Sequence, residues 1–251
     1  MTGHIVVFQL NSKGIIMNFN NAIVLVTGAN RGLGKALAQA AIKAGAAKVY
    51  AAARKPETID IPGATPIKLD VTNAADIAAV VQAIPDLTIL INNAGIHVVG
   101  GVTGPDALSA ARAEFETNFF APLALSHAFA PVLGRNGGGA IINILSALSW
   151  ASFPTTGTYS ASKAAAWALT NGLRGELQAQ NTQVLGAHMG YMDTDMTANV
   201  DAPKSKPADI AQAIVTALEA NQDEVLTDEV SKQVRASFAA PRAFYLGAPR
   251  A

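Results

Sequence analysis

Along most of the chain, short apolar runs alternate with longer stretches whose apolar positions recur every three or four residues. Residues 23–26, Ile-Val-Leu-Val, lead into Thr27-Gly28, and a continuous run of this kind suits a strand buried on both faces. Residues 35–43 are rich in alanine and form a strong helical segment that Gly45 closes. By the same reading, strands are predicted at 48–53, 66–70, 89–91, 140–145, 183–187 and 224–226. Helices are predicted at 76–84, 109–133, 159–180 and 207–220, the second interrupted by Pro122 and Pro131. Strands alternating with helices predict an α/β fold, a doubly wound parallel sheet of about seven strands with three helices on each face.

Residues 1–17 break the pattern. Ile5-Val6-Val7-Phe8 is apolar, but Asn11, Ser12, Lys13 and Gly14 follow without periodicity, and a second methionine, Met17, stands where order begins. They are read as a leader outside the core, leaving 18–251 as one domain.

Composition narrows the classes. Of 251 residues, 50% are hydrophobic and 14% charged, enough apolar material for a large single core. Lys+Arg and Asp+Glu both number 18, so no basic field argues for nucleic acid and no acidic excess for a solvating tail. Zero cysteines exclude disulfides, thiol catalysis and thiolate metal sites. His4, His97, His127 and His188 are scattered without ligand spacing, so no metal is expected. No apolar run approaches the roughly 18 residues of a membrane span, and the chain reads as a cytoplasmic protein without membrane contact.

Two stretches carry chemistry. After the first strand comes Gly28-Ala29-Asn30-Arg31-Gly32-Leu33-Gly34 and then the first helix, the strand–glycine turn–helix order that binds a dinucleotide. Here backbone N–H groups and a helix N-terminus can meet a pyrophosphate. The second stretch is Asn143-Ile144-Leu145-Ser146, followed thirteen residues later by Tyr159-Ser160-Ala161-Ser162-Lys163. Tyr159 and Lys163, four apart, share one helical face. A nearby ammonium favours the phenolate of a tyrosine whose reference pKa is about 10, making the pair an acid/base group usable near neutrality, and Ser146 can donate to the same substrate oxygen.

Threonine before G-x-x-x-G-x-G, Asn92-Asn93-Ala94-Gly95 after the apolar fourth strand, Asn118, Ser146 and Tyr159-x-x-x-Lys163 occur in one order. Together they resemble the single-domain branch of the short-chain dehydrogenase/reductase family, from about Asn21 to about Val230. The resemblance implies a Rossmann fold and hydride transfer between a nicotinamide and a small carbonyl or alcohol substrate. It makes Tyr159 the acid, Lys163 the group that holds the nicotinamide ribose and lowers the tyrosine pKa, and Ser146 the group that orients the carbonyl. Asn118 would bend the long helix and hold a water linking Lys163 to solvent. Gly28, Asn30, Arg31, Gly32, Leu33 and Gly34 would meet the phosphates, Asp70 and Val71 the adenine, and Asn92, Ala94 and Gly95 the adenine-ribose side. Gly190 and Thr194 keep the family's places after the sixth strand, Thr194 for the carboxamide, but Met189 stands where the family has proline. The second strand ends at Ala53, with no acid to repel a 2′-phosphate, and is followed by Arg54; with Arg31 this favours NADP(H) over NAD(H).

The segments expected around the substrate are mostly apolar: Ile96, Val98, Val99, Leu148, Trp150, Phe153, Met189, Tyr191 and Met192. An uncharged substrate follows if they line the pocket. The helices at 109–133 and 159–180 have more apolar perimeter than one sheet face covers, which points to a homodimer or homotetramer. A nucleotide-sensing regulator on the same fold is the alternative, disfavoured because all four catalytic positions are filled.

Overall fold

The structure is a computed structural model that describes residues 17–247. Seven parallel strands form one sheet: β1 Ile23–Thr27, β2 Lys48–Ala53, β3 Ala64–Lys68, β4 Ile89–Asn92, β5 Gly139–Ile144, β6 Thr182–His188 and β7 Glu224–Leu226. Their spatial order is β3-β2-β1-β4-β5-β6-β7. The winding reverses between β1 and β4, so a crevice opens beyond their carboxyl ends, where ligands bind in open α/β sheets. The helices are α1 Gly32–Lys43, α2 Ala74–Ala83, α3 Ala107–Phe115, α4 Ala121–Arg135, α5 Gly157–Leu177, α6 Pro207–Glu219 and α7 Glu229–Ala236. The doubly wound Rossmann architecture read from the sequence is therefore the one observed.

Side-chain alternation along the central strands divides the core in two. Val24, Val26, Ile89, Ile91, Ala140 and Ile142 pack with α1 and α6, whereas Leu25, Leu90, Ile141 and Val184 pack with α2, α4 and α5. Among the described residues one face thus carries two helices and the other three, a correction to the three-and-three expectation. The reason is α7, which lies at the end of the sheet: its Val234 packs with Ala147, Trp150 and Ala151 instead of with a sheet face. Met17, read as leader, packs partly buried against the first core; the rest of that segment lies outside the described residues.

Two elements differ locally from expectation. β3 starts at Ala64 because its register with β2 runs from Ala64 opposite Val49 to Lys68 opposite Ala53. Pro66 is accommodated because β3 is an edge strand with one side free of ladder bonds. The long helix at 109–133 is not broken at its prolines; instead a π-helical segment, Glu116–Phe120, joins α3 to α4. Pro122 has no N–H for the carbonyl of Asn118, and just before it the Ala121 N–H reaches back five residues to Glu116. Pro131 sits inside α4 without interrupting it. Both Pro131 and His127, whose carbonyl loses its donor, are exposed to water.

Candidate active site

β1 delivers the chain to a turn in which Gly28 and Gly32 take φ of +64° and +52°. A Cβ on Gly34 would stand 2.2 Å from the carbonyl oxygen of Gly28, so only glycine lets helix and turn approach this closely. Asn93 fastens the turn. Its Nδ2 donates to the carbonyls of Thr27 (2.8 Å) and Gly28 (3.3 Å), and the Thr27 hydroxyl accepts from the N–H groups of Asn93 (2.9 Å) and Ala94 (3.0 Å). α1 then begins at Gly32, and Arg31 before it makes no side-chain cap. Its first residues, Gly32, Leu33 and Gly34, line a cavity of about 980 Å³. Uncapped N–H groups on a helix N-terminus suit an anion, so the cradle fits a dinucleotide phosphate.

Gly28, Asn30, Arg31, Arg54, Asp70, Val71, Ala94 and Gly95 line the same cavity. The Asp70 carboxyl is held below its ordinary pKa by the backbone N–H of Thr72 (3.0 Å) and its hydroxyl (2.8 Å), with the Arg54 charge acting in the same sense. Asn92 is not in this lining. Its side chain is buried behind the cavity, where Nδ2 donates to Asn143 Oδ1 (2.8 Å) and Ser126 Oγ (3.3 Å).

Ser146, Tyr159 and Lys163, with Gly190 and Thr194, line the same cavity. Ser146 follows β5 and caps a short 3-10 turn, its Oγ accepting from the Leu148 N–H at 3.1 Å. Tyr159 and Lys163 lie one turn apart near the start of α5. The Lys163 ammonium donates to the Ile144 carbonyl at 2.9 Å and is 5.9 Å from the centre of the Tyr159 ring. Burial pushes the Tyr159 phenol up to about 12, although a hydrogen bond with Ser146 acts in the opposite direction, and burial brings Lys163 down to about 8. In the protein alone the tyrosine thus shifts in the direction opposite to the expected lowering, because desolvation outweighs the hydrogen bond with Ser146.

Asn118 lies in the π-helical segment, 2% exposed. Its amide forms a two-way bond with the backbone of Ile96, accepting from the N–H and donating to the carbonyl, both at 2.9 Å, and also donates to Ser162 Oγ at 3.0 Å. It thereby fixes Gly95 and Ile96 beside Lys163; a Cβ on Gly95 would meet Asn118 Oδ1 at 3.2 Å and Lys163 Nζ at 3.7 Å.

Ile96, Leu148, Phe153, Met189, Tyr191 and Met192 line the cavity as anticipated, whereas Val98, Val99 and Trp150 do not. Sequence reading missed Asn93, Asp195 and a wall made by Val230, Val234 and Phe244. Val230 and Val234, four apart on a helix, carried a signal; Phe244 carried none. Among the described residues no three His, Asp or Glu side chains are grouped to hold a metal, and no helix is long and apolar enough to cross a membrane.

The family model for short chain dehydrogenases matches residues 22–205. A ketoacyl reductase, HetN, from Nostoc sp. is 32% identical over 82% of this chain and 78% of its own. A short chain dehydrogenase from Burkholderia cenocepacia, solved in complex with NADP, is 39% identical, superposes with a TM-score of 0.86, and is matched over 90% of this chain and 95% of its own. A 7α-hydroxysteroid dehydrogenase solved with NADH and 7-oxo glycochenodeoxycholic acid is 26% identical, with a TM-score of 0.74 over 83% of this chain and 93% of its own. With the glycine turn, the serine and the Tyr-x-x-x-Lys helix opening into one cavity, the chain belongs to the short-chain dehydrogenase/reductase family of oxidoreductases.

Proposed function

We propose that the protein is an NADP(H)-dependent enzyme moving hydride between the nicotinamide and a carbonyl or secondary-alcohol substrate. The observation behind this reading is the convergence of the glycine cradle, two arginines and Ser146, Tyr159 and Lys163 on one cavity. Gly28, Asn30, Gly32, Leu33 and Gly34 would hold the pyrophosphate, Arg31 and Arg54 the 2′-phosphate, and Asp70 and Val71 the adenine. Ala94 and Gly95 would border the ribose, with Asn92 bracing them from behind, and Gly190 and Thr194 would meet the carboxamide. Bound there, NADPH supplies the hydride.

The chain's own residues handle the proton. A phenol with its pKa near 12 is fully protonated at neutral pH, so Tyr159 is charged with the proton that a carbonyl oxygen takes up on reduction. Ser146 would donate to the same oxygen and orient it, and Lys163 would hold the ribose and return a proton to Tyr159. Asn118 keeps Ile96 and Gly95 in place beside the lysine.

Cofactor choice rests on Arg31 and Arg54, and on Ala53 standing where an acid would repel a 2′-phosphate. The NADP-bound Burkholderia relative supports this, while the NADH-bound steroid dehydrogenase means that the fold alone does not decide it. The apolar lining by Ile96, Leu148, Phe153 and Met192 supports an uncharged substrate. We further read the enzyme as a cytoplasmic homodimer or homotetramer. The test is oxidation of NADPH and NADH with a panel of ketones and aldehydes. Turnover with NADPH at a kcat/KM about tenfold or more above NADH is expected; no turnover with either would overturn the reading.

A further inference from the structure

His188, the last residue of β6, is fully buried directly behind Ser146. Its Nδ1 lies 3.1 Å from the carbonyl oxygen of Ser146. A carbonyl can only accept, so Nδ1 carries the hydrogen. The next residue, Met189, accepts the Ala147 N–H through its own carbonyl at 2.8 Å. The peptide unit joining Ser146 to Ala147 is therefore held at both ends, oxygen by His188 and nitrogen by Met189. That unit sets the direction in which the serine side chain leaves the backbone.

The imidazole is itself fixed. The Trp150 ring stacks on it, centroids 3.8 Å apart and planes 18° apart. Its Nε2 lies 3.5 Å from Glu224 Oε1, outside hydrogen-bond geometry, and Trp167 Nε1 donates to the same oxygen at 2.8 Å. The Glu224 carboxyl is held down at about 2, chiefly by this histidine, and Arg235 lies over the Trp150 ring at 5.5 Å. His188 itself does not line the cavity.

We propose that His188, braced by Glu224 and Trp150, is a positioning residue for the active-site serine, acting through the Ser146 carbonyl. The proposal rests on the reductase reading above. A hydroxyl displaced by about 1 Å loses on the order of a hundredfold in rate even when no reacting group is removed. The role predicts a change in kcat with cofactor affinity little altered, because the glycine cradle that would hold the pyrophosphate is built from β1, α1 and Asn93.

The test is a double-mutant cycle measured as NADPH-dependent ketone reduction, with NADPH binding followed by fluorescence. His188→Leu is expected to lower kcat about tenfold to a hundredfold and leave NADPH affinity within about twofold. His188→Asn, whose Nδ2 can stand where Nδ1 stands, should recover most of that loss; His188→Gln, whose amide reaches instead toward Glu224, should not. In a Ser146→Ala background His188→Leu should cost little more, since the group it positions is gone. Should the leucine variant fail to fold, the comparison of asparagine with glutamine decides alone. An active wild type with additive losses, or equal losses for asparagine and glutamine, would overturn the inference; a wild type without turnover would overturn the reductase reading and this inference with it.

Discussion

Arg31 and Asp195 meet across the mouth of the cavity, Nη1 to Oδ2 at 2.9 Å, although 164 residues separate them in the chain. Both side chains are exposed, so the pair contributes at most about 1 kcal/mol and a phosphate can displace it. Arg31→Ala with Arg54→Ala should raise KM for NADPH by about tenfold to a hundredfold for each guanidinium removed, and that for NADH little. Asp195→Ala should act the other way, freeing the guanidinium and lowering KM for NADPH alone. Steady-state kinetics with both cofactors decide the point; equal changes for the two would show that the arginines do not read the 2′-phosphate.

Tyr159→Phe removes a hydroxyl and almost no volume. Turnover should fall by about a thousandfold or more with NADPH affinity nearly intact, because the general acid goes and the binding cradle stays. A variant retaining a tenth of the wild-type rate would exclude Tyr159 as the acid.

Lys163 and Tyr159 give the protein without cofactor a characteristic stability profile. The lysine titrates near 8 when folded against 10.5 when free in water, so between those values the unfolded chain binds more protons and stability rises with pH. The tyrosine titrates near 12 against 10.0, so from about 10 upward the folded chain binds more protons and stability falls. Lys163→Met should abolish the rise between pH 8 and 10.5, worth on the order of 3 kcal/mol for a buried ammonium. Urea midpoints across this range, wild type against variant, measure it; parallel curves would show that burial of the ammonium is not what the profile reports.

The π-helical segment and α4 leave apolar surface uncovered within one chain, and α5 exposes Ala161 and Ala168. Phe120 and Leu123 are 48% and 37% exposed, while Leu125, Phe129 and Leu173 are buried in the core. Light scattering should return at least a dimer mass, and Ala168→Glu, on an exposed position of α5, should lower it. A monomer for the wild type would rule out the assembly; an unchanged mass for the variant would move the interface off α5.

The order of elements is legible because the central strands contain short apolar runs and residues such as Gly28, Gly45 and Pro207 fall at element boundaries. The site is legible where chemistry and spacing coincide: Gly28 to Gly34, Ser146, and the Tyr159–Lys163 turn sit where those patterns put them. What local pattern cannot carry is long-range placement. Asn92 and Asn93 are adjacent and identical, yet strand alternation sends one into a buried amide cluster and the other onto the glycine turn. The π-helical turn at Glu116–Phe120 depends on a missing proline N–H and on Asn118 reaching Ile96 from 22 residues away. The sign of the Tyr159 shift escapes the sequence for a similar reason, since spacing reveals a neighbouring charge but not how deeply both groups are buried.

Phe244, from the turn after α7, stands at the cavity wall with its ring edge-on to Phe153 at 5.9 Å. That segment holds no strand, adds nothing to either sheet-face core, and shares no residue with the glycine cradle. This part of the cavity wall is thus carried by a segment outside both sheet-face cores. Variation at Phe244 alone is therefore expected to change which carbonyl substrates are accepted while melting temperature and cofactor use stay near those of the parent, as activity screens and thermal melts would show.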